Sequence, residues 1–219
     1  PTGKAPLLVY LYGAGGSRDF YNLGSAPFAE IRQYLAERHY YILVPELGPR
    51  HWMARDTRAK LDRIVDHVLA TNPIRKKEIY LMGTSMGGGS SLAYAIHRPK
   101  LFRALVIHMG MTDFRQWYDE QPRYRTQLAE SYGGTPEQAP EAWKEVSAMA
   151  NLDVLRKIPI FLVYAADDKI VLPAQGQRLY DALHAKGAKV TLRIAPGLAH
   201  KNESITPYSQ EIARFLDHP

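Results

Sequence analysis

The chain has 219 residues with 46% hydrophobic and 23% charged residues, contains no cysteine, and carries a formal net charge of +6 at pH 7. This length fits a single domain with a sizeable core, and the lack of cysteine excludes a disulfide framework, a thiolate metal site and a cysteine nucleophile. No apolar run is long enough for a membrane span, and the basic residues of segment 55–63 alternate with Asp56 and Asp62, which predicts a solvated helix face rather than a nucleic-acid groove.

Short apolar runs alternate with segments of helical periodicity along most of the chain. The predicted strands are residues 7–12, 41–44, 79–82, 104–109, 160–165 and 190–194. Apolar side chains at helical spacing predict helices over residues 27–38 and 53–70, and helical patterns also follow the third, fifth and sixth strands. This alternation predicts an α/β fold with a mostly parallel central sheet and helices on both faces. Ligands of such sheets bind at the carboxyl ends of the strands, where we expect the functional site.

One segment interrupts this alternation. Residues 113–152 hold several Trp and Tyr residues among Pro, Gly and charged residues. The segment is too long for a plain connection between two elements. We interpret it as a small helical cap inserted into the single domain.

A glycine-dense segment follows the third predicted strand. Its sequence, Gly83-Thr84-Ser85-Met86-Gly87, fits the G-x-S-x-G nucleophile elbow, in which a sharp strand-to-helix turn holds the serine in a strained conformation. Ser85 would then stand at a helix start, where unpaired amides favour the oxyanion formed during acyl transfer. Met86 would donate one such amide. The alternative is a glycine-rich turn with an incidental serine.

A second amide donor is expected in the loop after the first strand. That loop reads Tyr12-Gly13-Ala14-Gly15-Gly16, and the Ala14 amide is the candidate. A phosphate-cradling loop is the alternative, but the segment lacks the Lys-Ser/Thr ending of such loops.

The elbow serine needs a base and an acid, each on a loop after a late strand. His200 follows the last predicted strand, and Asp168 follows the strand before it. Asp167 is the neighbouring alternative, although its position suits local hydrogen bonds that brace the turn. Asp113 is a third candidate acid, for which a helix N-cap is the competing interpretation. His108 is the other histidine near a strand end.

These motifs resemble the α/β-hydrolase superfamily over essentially the whole chain, and within it the catalytic domain of prolyl oligopeptidase-type enzymes and small esterases. Residues 83–88 are of the G-x-S-M-G-G kind, and residues 165–171 are similar to the G-x-x-D-x-x-V pattern around the family's triad acid, which favours Asp168. The segment 132–147 resembles the oligopeptidase pattern before that strand. The family commonly has His-Gly where this chain has Tyr12-Gly13, a difference that preserves the backbone-amide role.

The resulting hypothesis is a serine hydrolase that cleaves small carboxylic esters through an acyl-enzyme, with Ser85 as nucleophile, His200 as base and no cofactor or metal. Trp52, Trp117 and Tyr118 lie in loops expected at the strand ends and could line the substrate pocket, with core packing as the alternative for each.

Two other functions are compatible with the sequence. An amidase or peptidase would need a substrate anchor, for which Glu46 is the candidate. A non-catalytic binding module on the same fold is the alternative from another class. The sequence leaves the acyl and alcohol groups, the oligomeric state and the cellular compartment open.

Overall fold

A computed structural model describes residues 3–19 and 26–219 of the chain. Its strands are β1 (Ala5–Leu11), β2 (Tyr41–Leu43), β3 (Ile74–Thr84), β4 (Ala104–His108), β5 (Ile160–Ala165) and β6 (Val190–Ala195). They form one sheet in the order β2-β1-β3-β4-β5-β6, and all its pairings between described residues are parallel. The predicted α/β class with a mostly parallel sheet is confirmed.

Helices connect these strands. The α-helices of the described residues are α1 (Ala29–Glu37), α2 (Arg55–Thr71), α3 (Met86–His97), α4 (Phe114–Glu120), α5 (Arg125–Tyr132), α6 (Pro140–Val146), α7 (Leu152–Leu155), α8 (Pro173–Ala185) and α9 (Ser209–Asp217). Short 3-10 helices occupy Ala26–Phe28, Pro122–Tyr124 and Asn202–Tyr208. Within the described ranges, none of the helices has the length and apolarity needed to traverse a bilayer.

The strand order determines which face each helix covers. The connection from β1 to β2 runs toward one edge of the sheet, whereas those from β2 to β3, β3 to β4 and β5 to β6 run the opposite way. Because crossovers between parallel strands are right-handed, α1 covers one face and α2, α3 and α8 cover the other. In agreement, α1 packs against α9, while α3 packs against α6 and α7. Every residue of β1, β4 and β5 is accordingly buried.

The predicted boundaries agree with the observed ones to within two residues, except at the start of β3. That strand begins at Ile74 rather than at residue 79, and Ile74 pairs with Ala5 of β1. The three basic residues after Ile74 are exposed. This first half of the strand therefore lacks the apolar pattern by which strands are predicted.

The insertion at residues 113–152 forms helices, as predicted, and these are built around aromatic side chains. The Tyr132 and Trp143 rings meet edge to face with centroids 4.7 Å apart, and Trp117 stacks on Tyr124 at 4.8 Å. Both Trp side chains are buried and join the core of the sheet. Aromatic pairs of this geometry add to the stabilisation that burial provides.

The prediction that the basic segment of α2 is a solvated face is wrong at Arg58. Its side chain is buried, and Nη2 donates to a Glu145 carboxylate oxygen on α6 at 2.6 Å. On the same helix, Asp62 accepts hydrogen bonds from the Tyr94 hydroxyl at 2.9 Å and from the Arg98 guanidinium at 3.0 Å. Charged side chains thus tie α2 both to the insertion and to the end of α3.

The turn from β3 to α3 depends on two glycines. A Cβ added at Gly83 would collide with the Gly87 carbonyl, and a Cβ added at Gly87 would collide with the Leu11 and Tyr12 carbonyl oxygens. Helix α3 therefore starts in direct contact with the end of β1. The G-x-S-x-G spacing reflects this close backbone approach, since only glycine leaves room for it.

Replacement of Gly87 by Ala tests this packing. Alanine favours a helix by about 1 kcal/mol over glycine, but the collision with β1 should outweigh this gain and lower the free energy of unfolding by about 2 kcal/mol. Urea unfolding of wild type and Gly87→Ala measures the difference. Gly3→Ala is the control, because nothing lies within 4 Å of its added Cβ. Equal unfolding midpoints for all three proteins would contradict the expectation.

Candidate active site

Ser85 lies between the last residue of β3 and the first residue of α3, with backbone angles φ 55° and ψ −120°. A positive φ is unusual for a non-glycine residue and costs about 1–3 kcal/mol. Two backbone hydrogen bonds hold it: the Ser85 amide donates to the His108 carbonyl at 2.8 Å, and the Ser85 carbonyl accepts from the Gly89 amide at 3.1 Å. The serine hydroxyl is thereby directed away from the sheet end, toward the loops after the neighbouring strands.

The structure brings Ser85, His200 and Asp168 into one hydrogen-bonded line. His200, on the loop after β6, has Nε2 2.8 Å from Ser85 Oγ and Nδ1 2.6 Å from Asp168 Oδ2. The other carboxylate oxygen of Asp168 accepts from the amides of Ile170 and Val171 at 2.8 and 2.9 Å. Because the carboxylate is buried and accepts at Oδ2, His200 carries its proton on Nδ1. Nε2 is then free to accept the serine proton.

The other candidate acids and base lie elsewhere. Asp167 is exposed, and its amide donates to the Leu198 carbonyl at 2.9 Å. Asp113 caps α4 by accepting from the amides of Arg115 and Gln116, which is the N-cap role that the sequence offered as its alternative. His108 is fully buried at the end of β4, and burial together with the nearby His200 lowers its pKa to about 3.

The loop after β1 lies directly against the serine. A Cβ at Gly13 would be 3.4 Å from Ser85 Cβ. In this loop Gly15 N donates to Pro49 O and Gly16 N donates to Gly13 O, whereas the Ala14 amide has no backbone acceptor among the described residues. Met86 is the first residue of α3, so its amide has no carbonyl within the helix to which it could donate. Met86 adjoins Ser85 in the chain and Ala14 lines the same cavity as Ser85, so the oxyanion role of their two amides stays a prediction.

The side chains of Tyr12 and Glu46 brace this loop. The Tyr12 hydroxyl is 2.9 Å from Glu46 Oε1, to which it donates, and it accepts from the Leu47 amide at 2.9 Å. Glu46 also accepts from the amides of Arg18 and Gly48, and these bonds, with Tyr12, lower its pKa. Glu46 therefore supports the loop, and its role as a substrate anchor for an amidase or peptidase stays a prediction.

A cavity of about 360 Å³ opens beside Ser85 and His200. Its other walls are formed by residues 13–16, Trp52, Thr84, Met109, Met111, Trp117, Tyr124, Ile170 and Asn202. Cavities of this size suit a small organic ligand. Of the residues that the structure describes, none that lines this cavity is an Asp, Glu, Lys or Arg.

The predicted pocket residues divide into two groups. Trp52 and Trp117 line the cavity, and their rings are 5.5 Å apart. Tyr118 was wrongly placed: it packs edge to face on Trp143 at 5.2 Å and lies outside the cavity lining. The reason is helical geometry, since consecutive residues of α4 point about 100° apart and Trp117 takes the inward direction.

Sequence reasoning missed several lining residues. Met109 and Met111 follow the carboxyl end of β4, so their position after a strand was the available signal. Tyr124 belongs to the aromatic insertion.

Across residues 3–19 and 26–219, no three His, Cys, Asp or Glu side chains are grouped as a metal would require.

The fold recurs in known hydrolases. Fluorophosphonate-binding serine hydrolase F of Staphylococcus aureus superposes with a TM-score of 0.77 at 15% identity, covering 98% of this chain and 83% of its own. An acylaminoacyl peptidase of Pyrococcus horikoshii gives a TM-score of 0.71 at 16% identity, covering 99% of this chain but 38% of its own. At these identities the likeness establishes the shared α/β-hydrolase fold.

Sequence comparison adds the family. Dipeptidyl aminopeptidase BIII of Pseudoxanthomonas mexicana is 24% identical over an alignment of 220 residues, gaps included, that covers 90% of this chain and 31% of that enzyme. The chain thus spans about a third of the curated relative it matches. The sequence profile of the prolyl oligopeptidase family matches residues 53–218. The chain belongs to the prolyl oligopeptidase family.

Proposed function

We propose that this protein hydrolyses carboxylic esters through an acyl-enzyme, with Ser85 as nucleophile, His200 as general base and Asp168 as the acid that orients the imidazole. The observation that carries the proposal is the line from Asp168 Oδ2 through His200 to Ser85 Oγ, with distances of 2.6 and 2.8 Å, at the edge of an apolar cavity. A nucleophile, a base and an orienting carboxylate in this geometry are the elements of acyl transfer.

The reaction would proceed in two steps. Ser85 Oγ attacks the ester carbonyl while its proton passes to His200 Nε2, and the amides of Met86 and Ala14 stabilise the oxyanion. The C–O bond then breaks as Nε2 returns the proton to the leaving alcohol, which leaves an acyl group on Ser85. In the second step water attacks this ester, its proton passes through Nε2 to the Ser85 oxygen, and the carboxylic acid is released.

The cavity lining supports an uncharged, apolar acyl group. Trp52, Trp117 and Ile170 form apolar walls, and the buried Asp168 is already bonded to His200 and two amides. A charged group placed among these walls would lose its hydration without gaining an ionic partner. A planar aryl or short alkyl acyl chain would lose only unfavourable contact with water.

Amide or peptide hydrolysis is the second candidate, and the match to the prolyl oligopeptidase family favours it. The same cavity would receive the acyl side chain, and His200 would protonate an amine instead of an alcohol. Steady-state kinetics on a p-nitrophenyl ester and a p-nitroanilide of the same acyl group separate the two activities.

Labelling with a fluorophosphonate tests the nucleophile directly. Mass spectrometry should find the phosphonyl group on the peptide that contains Ser85 in the wild type and on no peptide of Ser85→Ala. A folded wild-type protein that takes no label would favour a non-catalytic binding module on this fold.

The acid assignment is tested by one neighbouring pair of variants. Asp168→Asn keeps an oxygen for the amides of Ile170 and Val171 but offers an amide to His200, so kcat should fall by about 10⁴. Asp167→Asn is the matched control, because Asp167 is exposed and leaves the His200 bond intact. Ester hydrolysis is measured for both at pH 7.5. A similar loss in the two variants would refute Asp168 as the orienting acid.

The pocket assignment is tested on consecutive residues of α4. Trp117→Leu removes part of the cavity wall, so kcat/KM for a bulky aryl ester relative to the acetyl ester should rise about tenfold. Tyr118→Leu, on the same helix but outside the lining, should leave this ratio unchanged. The ratio is measured with p-nitrophenyl acetate and p-nitrophenyl benzoate. An unchanged ratio in Trp117→Leu would remove this residue from the substrate pocket.

Support of the oxyanion loop is tested at Tyr12. Tyr12→Phe leaves the Leu47 amide without its acceptor, which should lower the free energy of unfolding by about 1–3 kcal/mol and reduce kcat more than it raises KM. Tyr208→Phe removes a phenol that donates to the Ile194 carbonyl at an exposed site, and its effect on stability should stay within about 0.5 kcal/mol. Urea unfolding and ester kinetics measure both effects. Wild-type kcat in Tyr12→Phe would show that the loop does not need this brace.

A further inference from the structure

A second chain of hydrogen bonds lies buried beneath Ser85 and His200. The Tyr10 hydroxyl donates to Thr84 Oγ1 at 3.1 Å, and Thr84 Oγ1 is 3.2 Å from His108 Nδ1. His108 Nε2 is 2.7 Å from Ser204 Oγ, which donates to the Lys201 carbonyl at 2.9 Å. The Tyr10, Thr84, His108 and Ser204 side chains are all buried. This hydrogen-bond network therefore runs from β1 across β3 and β4 to the segment after β6.

The donors and acceptors of these bonds follow from the bond between Ser204 and the Lys201 carbonyl. Because the Ser204 hydroxyl gives its proton to the Lys201 carbonyl, it accepts from His108, so Nε2 carries the imidazole proton. His108 Nδ1 is then an acceptor and receives the Thr84 hydroxyl proton. In this arrangement the Thr84 and Ser204 hydroxyls each donate one hydrogen bond and accept one, and buried polar networks stabilise a fold when their members are satisfied in this way.

The imidazole of His108 is held neutral. It is fully buried between Thr84 on β3 and Ser204, and the Phe28 ring meets it edge to face at 6.2 Å. Burial and the nearby His200 both lower the pKa of His108. A neutral ring with one donor and one acceptor nitrogen matches the two neighbours that it has.

Two residues of this hydrogen-bond network are sequence neighbours of the proposed catalytic residues. Thr84 immediately precedes Ser85, and Lys201 immediately follows His200. The His108 backbone takes part as well, because its carbonyl accepts from the Ser85 amide at 2.8 Å. His108 thus contacts the serine side through its carbonyl and Nδ1, and the histidine side through Nε2 and Ser204.

The loop that carries His200 needs such support. Between β6 and the 3-10 helix at Asn202–Tyr208, the Leu198 carbonyl accepts from the Asp167 amide, and the Lys201 amide donates to Ala199 within the loop itself. Gly197 has φ 67°, so the loop turns sharply. The bond from His108 to Ser204 joins the far end of this loop to a central strand.

We propose that His108 is a positioning residue, which, through Ser204 and Thr84, holds the His200 loop in register with Ser85. It touches no reacting atom and acts by fixing the distance between His200 Nε2 and Ser85 Oγ. The kinetic part of this proposal rests on the proposed function, whereas the geometric part concerns the folded protein alone.

Two buried serines of the same segment provide a matched test. Ser204 donates to the carbonyl three residues before it, and so does Ser209, whose hydroxyl is 3.0 Å from the Thr206 carbonyl. Of the two, Ser204 meets His108. Ser204→Ala should lower kcat about tenfold with KM within about twofold, because a small misplacement of a catalytic group is costly. Ser209→Ala should leave both constants at their wild-type values.

A double-mutant cycle with His200→Ala distinguishes positioning from general loosening. If Ser204 acts through His200, Ser204→Ala should change the residual rate of His200→Ala by less than about twofold. A further tenfold loss in that background, or an unchanged kcat in Ser204→Ala alone, would overturn the proposal.

Proton NMR keeps the test independent of catalysis. The low-field resonance of His200 Nδ1–H is assigned by its disappearance in His200→Ala. In Ser204→Ala it should shift or broaden through faster exchange, while in Ser209→Ala it should stay as in wild type. An unchanged resonance in Ser204→Ala would refute the positioning role. If the wild type hydrolyses no ester, the proposed function fails and this measurement still decides the role of His108.

Discussion

The close approach of α3 to the carboxyl ends of β1 and β3 is the constraint on which the site depends. Gly83 and Gly87 permit it because neither places a Cβ against the opposing carbonyls. The resulting turn forces Ser85 to a φ of 55°. The conformation persists because the surrounding backbone fixes it, through the bond from the Ser85 amide to His108 and through the almost fully buried α3. The hydroxyl is therefore oriented before any substrate binds.

The other proposed site residues lie near Ser85 because parallel strands end at one edge of the sheet. The loops after β1, β5 and β6 supply the Ala14 amide, Asp168 and His200 respectively. Each of these loops is held by hydrogen bonds. The Tyr12 hydroxyl accepts from the Leu47 amide beside the loop after β1, and Asp168 accepts from two amides in the loop after β5. Ser204 donates to the Lys201 carbonyl at the end of the loop after β6. In a buried setting such bonds are strong when complete and costly when broken.

The sequence predicted what short-range patterns encode. The elbow around Ser85 is a local turn, and Asp168 and His200 each follow a strand that its apolar run identifies. Features that depend on distant partners were not predictable in this way. The burial of Arg58 depends on Glu145, 87 residues away, and the bond between His108 and Ser204 spans 96 residues. The exclusion of Tyr118 from the cavity depends on how α4 is rotated, which its contact with Trp143 fixes.

The choice between ester and amide substrates depends on proton delivery more than on the cavity. An apolar wall such as Trp117 contacts the acyl group, which esters and amides share. An alkoxide is a better leaving group than a nitrogen anion, so the nitrogen of an amide must be protonated as the C–N bond breaks. Amide cleavage therefore demands a more accurately placed His200 Nε2. The chain through Ser204, His108 and Thr84 contributes to that placement. The loss of Ser204 should therefore penalise an anilide more than the ester of the same acyl group, and the ratio of the two losses measures how far this site is built for amide chemistry.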